Sequence, residues 1–227
     1  MRRLRYAAIW RTPGLLLVLW ALLVTLPTGS RSETLPTTPL KVAATIFPLY
    51  DLIRQVAGPT IEVVLLVPPG ASEHTFTVKP GTVRALSGCA AVFSIGHGLD
   101  DWVTRLAQEA GVPRTIITDT GVTLLRGQHE SHGHGHKHPP STGQQAVDPH
   151  YWLTIPNALR MVQTIAEMLA QLDPSRQPEV QQRLAAYQEH LRQTDAEIRH
   201  LLTDLPQRTL ATFHMAFEYR KFKRQVS

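Results

Sequence analysis

Three histidines of this chain stand in short stretches that could each offer a donor atom: His74 in "PPGASEHTF", His150 in "DPHYW" and His214 in "ATFHMAFEY". They are 76 and 64 residues apart, so no local turn joins them and only a fold can. Neutral imidazole is the commonest protein ligand for zinc, and a tetrahedral site needs four donors. The trio is therefore a candidate metal site. Taken singly, each histidine reads first as a surface or hydrogen-bonded residue.

A second group lies in "QHESHGHGHKHPP", residues 128–140, where His129, His132, His134, His136 and His138 alternate with Gly, Ser, Glu and Lys. Gly133 and Gly135 keep this stretch flexible, so its imidazoles hold no tetrahedral geometry in advance. Each binding event also has to order the loop. Weak, multiple, exchangeable metal binding is the expectation, with a plain flexible spacer as the alternative. His97, in "GHGLDDW", follows an apolar strand and is expected to be hydrogen-bonded and structural. His190 and His200 fall on a long helix and are expected at its surface.

The segments that must position these residues repeat a strand–helix pattern. "KVAATI" reads as a strand and "FPLYDLIRQVAG" as a helix with Pro48 near its start and Gly58 as its stop. "IEVVLLV", "AAVFSIG" and "PRTIITDT" are further strands, separated by the helices "KPGTVRALSG" and "LDDWVTRLAQEAG". Strands that are apolar throughout, alternating with helices, imply a parallel sheet covered on both faces. Open α/β sheets bind ligands beyond the carboxyl ends of their strands. His74, His150 and His214 each fall where such a crevice would collect them.

Residues 121–147 have no periodicity and exceed an ordinary connection. "TIPNALRMVQTIAEMLAQLD" follows as a helix, with Thr154 as its candidate cap. A longer helix covers about Pro178 to Leu205, with Leu184, Tyr187, Leu191, Ile198 and Leu202 at helical spacing. At 1.5 Å per residue it runs roughly 40 Å, the length of a strut between lobes. After Pro206, "RTLATF" opens a new strand.

Arg2, Arg3, Arg5 and Arg11 precede the apolar run Leu15 to Leu26, the layout of a secretory signal and short for a membrane span. Residues 1–30 are expected to be that signal, cleaved within Pro27 to Ser32 or retained as an anchor, and residues 31–40 a polar linker. The whole chain has 23 Lys and Arg against 18 Asp and Glu. Four of the 23 precede residue 31, leaving 19 against 18, a net of +1. That body carries no basic stripe, and nucleic-acid binding is not expected. Cys89 is the only cysteine, so no disulfide forms within the chain and no lipid-bearing cysteine stands at the signal boundary. Its setting in "GCAAVF" predicts a small buried residue.

"ATIFPLYDLIRQVAG", "PPGASEHTFTVKP", "DPHYWL", "AAYQEHLRQTDAEI" and "RTLATFHMAFEY" together resemble the solute-binding receptors of bacterial ABC importers for zinc and manganese. The resemblance is collinear from about Lys41 to Tyr219. It implies an α/β fold of two lobes with parallel sheets, joined by a long rigid helix. It also implies metal ligation by His74, His150 and His214, with an Asp or water in or near the second lobe as fourth ligand. Zn²⁺ is the expected ion and Mn²⁺ the lesser one, because three nitrogen donors suit zinc while manganese takes more oxygen. The expected role is a monomeric periplasmic receptor that delivers Zn²⁺ to an ABC permease at the inner membrane.

The expected organisation is an N-terminal lobe over 41–175, an inter-lobe helix over 176–205 and the start of a C-terminal lobe over 206–227. The pattern dissolves into "RKFKRQVS" after Tyr219, and the second lobe is read as largely missing. Glu73 stands where the family often has Pro, and Thr154 where it often has Asp. Glu73 either supplies an oxygen to the metal or is a solvated loop charge. The loop of residues 128–140 occupies the interval where zinc receptors often carry a His- and acid-rich insertion. Two other functions compete: a zinc hydrolase using three His and a water, against which stands the absence of an H-E-x-x-H, and a zinc buffer acting through the loop alone.

Overall fold

The computed structural model describes residues 39–127 and 146–203. The expected signal, most of the linker, the loop of residues 128–140 with its five histidines, and residues 206–227 with His214 lie outside them.

Four parallel strands form the sheet: β1 (Leu40–Ala44), β2 (Ile61–Leu65), β3 (Ala91–Ser94) and β4 (Thr115–Ile117), in the order β2-β1-β3-β4. Between them run α1 (Phe47–Ala57), α2 (Pro80–Leu86) and α3 (Trp102–Glu109). From β1 the chain moves outward to β2, then returns to β3 on the other side of β1. The crevice beyond the carboxyl ends of β1 and β3 is thus the switch point where α/β sheets take ligands.

Backbone pairing continues past the strand ends, from Leu66 N to Ala44 O at 2.9 Å and from Thr45 N to Phe93 O at 3.2 Å. This explains why the apolar runs read longer than the strands. The expected linker gives up Leu40, which opens β1 opposite Ile61.

Alternation along β1 divides the core. Val42 and Ala44 face one side, joining Leu49, Ile53 and Val56 of α1. Ala43 faces the other, with Leu86 of α2 and Val103 and Leu106 of α3. Cys89 is buried in this second cluster, as its apolar setting predicts, and burial pushes its thiol pKa up.

Two short antiparallel strands, β5 (Arg126–Gly127) and β6 (Ala146–Val147), pair at the ends of the aperiodic region. Two residues per strand leave no periodicity to read. A turn of 3₁₀ helix, Tyr151–Leu153, then leads into α4 (Ile155–Leu172), and a second, Pro174–Arg176, into α5 (Gln177–Thr203). Thr154 takes the extended backbone of a cap residue, but its side chain makes no capping bond. Pro156 in the first turn presets the helical φ instead.

The 27 residues of α5 do not act as a free strut along their length. Val180, Leu184 and Leu191 enter the same cluster as α1 and α4. Only further on does the apolar stripe come into solvent, with Ile198, Leu201 and Leu202 at 37%, 66% and 51% exposure. The docking is tight at Gly58, which ends α1 at φ 68°: a β-carbon there would lie 2.2 Å from Arg183 Nε of α5. Among the described residues no helix is long and apolar enough to cross a membrane.

Candidate metal centre

Tyr151 anchors the segment that carries His150. Its ring is fully buried, and its hydroxyl donates to Ile95 O at 3.0 Å and lies 3.1 Å from Thr118 Oγ1. Asn157, in the first turns of α4, donates from Nδ2 to Tyr151 O and Thr123 O and accepts from Thr123 N. Asp148 N bonds Leu125 O at 2.9 Å. The 3₁₀ turn is therefore fixed from the sheet, from α4 and from the strand pair at once.

His150 is 3% exposed. Oδ1 of Asp148 accepts from His150 N at 2.9 Å and lies 2.7 Å from its Nδ1. With Nδ1–H directed at the carboxylate, neutral His150 carries its lone pair on Nε2, the arrangement that orients histidines at metal sites. That Nε2 lies 3.3 Å from Nε2 of His74. Against the His150 ring stands Trp152, with ring centroids 5.2 Å apart.

His74 arrives on the loop after β2 and is exposed. Glu73, beside it, is half-buried. One ligand atom from each of Glu73, His74 and His150 falls within 4.8 Å of the others. Among the described residues this is the only such group of three or more His, Cys, Asp or Glu. Glu73 thus lies within reach of the two imidazoles. Two nitrogens and a carboxylate oxygen at this separation can converge on one divalent cation.

His97 does not join them within the described residues. It takes φ 56° between two glycines of positive φ, and its Nε2 lies 3.0 Å from Asp119 Oδ2, the hydrogen-bonded role expected of it. The turn it occupies hangs on Asp100, whose carboxylate accepts from Ile95 N, Gly96 N and Thr45 Oγ1. Burial raises the pKa of Asp100, and these three bonds oppose the rise without cancelling it. His190 and His200 are exposed on α5. Asp148 and Asp100 are the two residues that sequence reasoning passed over. Their only signal is a carboxylate within two or three residues of a histidine, in "DPH" and "HGLD".

Residues 42–222 match the family of zinc-uptake complex component A, periplasmic (ZnuA). The chain belongs to this family. Among relatives, the zinc-binding lipoprotein AdcA of Streptococcus pneumoniae is 28% identical over 182 residues, 79% of this chain and 36% of that protein. The chain therefore spans little more than a third of that relative. A crystal structure of ZnuA superposes with a TM-score of 0.70 at 27% identity, covering 83% of this chain and 68% of that one. The SBP FpvC of Pseudomonas aeruginosa, in complex with Mn²⁺, gives 0.71 at 26% identity, covering 83% and 67%. Membership in the ZnuA family agrees with the parallel α/β sheet and the long helix that follows it.

Proposed function

We propose that the chain captures Zn²⁺ outside the cytoplasm and hands it to a membrane permease of the ABC class. The observation that carries this reading is the convergence of Glu73, His74 and His150 beyond the carboxyl end of the sheet. Asp148 already sets one imidazole to offer Nε2 there. The periplasmic zinc-uptake family of the chain supports the same role. AdcA of Streptococcus pneumoniae is named as zinc-binding, whereas FpvC holds Mn²⁺ on a similar fold, so the fold alone does not choose the ion. Nitrogen donors favour zinc in this reading, with His214 as a third imidazole and Glu73 as an accessory oxygen. His129, His132, His134, His136 and His138 act as weak, exchangeable zinc donors beside the main site. Residues 1–30 direct export, and the chain works as a monomer.

Competition titrations of the full chain with Zn²⁺ and Mn²⁺ test the reading. The expected result is a preference for zinc of at least about a hundredfold, equivalent to ~2.8 kcal/mol. His150→Ala is expected to lower zinc affinity by a similar factor. Equal affinities for the two ions would overturn the choice of metal, and an unaffected His150→Ala would overturn the site.

A further inference from the structure

The two histidines are mounted in unlike ways. His150 is buried on a segment bonded on three sides. His74 rides on the loop Pro68–Val78, where every residue except Glu73 and Phe76 is exposed. Among the described residues the backbone hydrogen bonds of that loop are two local turns, Ala71 N to Pro68 O at 3.1 Å and Thr75 N to Ser72 O at 3.3 Å. Neither reaches the rest of the fold. Away from the metal centre, the loop meets the body at Phe76. Its ring lies 5.1 Å from that of Trp102 at a tilt of 41° and packs against the main core cluster.

We infer that Phe76 is a positioning residue, which sets His74 against His150 by seating the loop on Trp102; the inference rests on the zinc site proposed above. Phe76 is two residues beyond His74, so its ring fixes the backbone from which the imidazole projects. Trp102 is a suitable seat, since it opens α3 and belongs to the margin of both core clusters. An aromatic pair of this kind adds a modest stabilisation beyond the area it buries. That is enough to hold a loop with few other ties, and too little to hold it immovably. The site then has a fixed half, Asp148 with His150, and a detachable half, Glu73 with His74.

A double-mutant cycle on the full chain tests this, with zinc affinity measured by competition titration. Phe76→Ala is expected to weaken zinc binding about tenfold, Trp102→Ala to do the same, and Phe76→Tyr, which keeps the ring, to change it less than twofold. In a His74→Ala background, Phe76→Ala is expected to have no further effect, because it acts through His74. An equal loss in both backgrounds, or no loss in the wild-type background, would overturn the inference. If His74→Ala alone leaves zinc affinity unchanged, it is the zinc site itself that fails. Melting curves accompany each variant. Should Phe76→Ala not fold, Phe76→Leu takes its place in the cycle, with coupling to His74 still required.

Discussion

A single oxygen, Oδ1 of Asp148, receives both the backbone N–H and the ring Nδ1 of His150. The imidazole is thereby held in rotation as well as in tautomer. Replacing Asp148 by Ala leaves a buried donor without its acceptor and the ring free to turn. Asp148→Ala is expected to lower zinc affinity about ten- to a hundredfold, measured by competition titration. Asp148→Asn, which keeps an acceptor oxygen in place, should lose less. His74 and His150 were legible in the sequence because each sits in a distinctive word with proline nearby. Asp148 and Asp100 were not, because a carboxylate in a loop looks the same whether it caps a turn, faces solvent or orients a ligand. What separates these cases is the partner. Ile95 N and Gly96 N reach Asp100 through the local turn, and Thr45 Oγ1 only through the packing of β1 beside β3.

At the level of elements, apolar runs and glycine stops located all four strands of the main sheet and the helices between them. The strand limits came out shorter than the apolar runs, although backbone bonds such as Val67 N to Thr45 O carry the pairing past them. β5 and β6 escaped altogether, since their existence depends on Arg126 meeting Val147 across the chain. The stop at Gly58 has a second cause that periodicity does not contain, the passage of Arg183 over its α-carbon. Gly58→Ala should therefore displace the flexible Arg183 guanidinium at little cost and strain the backbone at φ 68°. It is expected to destabilise the fold by about 2 kcal/mol, chiefly through the backbone, read from denaturant unfolding. Asp100 gives a pH signature. Its folded pKa is raised, so between its unfolded value of about 3.9 and that raised value the native state holds the proton more firmly. Its contribution is full below the unfolded value and is lost as pH rises through the folded one. Unfolding free energy of the wild type, taken relative to Asp100→Asn, is expected to fall as pH climbs above about 4.

For the molecule as a whole, the competing readings separate on one deletion. Removing residues 129–138 should leave a receptor with its high-affinity zinc site and fewer weak ones, whereas a buffer acting through the loop would lose its binding altogether. Calorimetry distinguishes the two by whether a tight, near-stoichiometric phase survives. That the deletion should be harmless to the rest follows from the smaller of the two sheets among the described residues. β5 and β6 lie side by side, with Gly127 opposite Ala146, so the two ends of the interval are already held together. The cost of closing such an excursion grows only with the logarithm of its length. Leu125 and Asp148, just outside the pair, are joined by their own hydrogen bond. The strand pair is in effect a socket: whatever is plugged into it, long or short, histidine-laden or plain, the contacts that orient His150 are made on the near side of the plug.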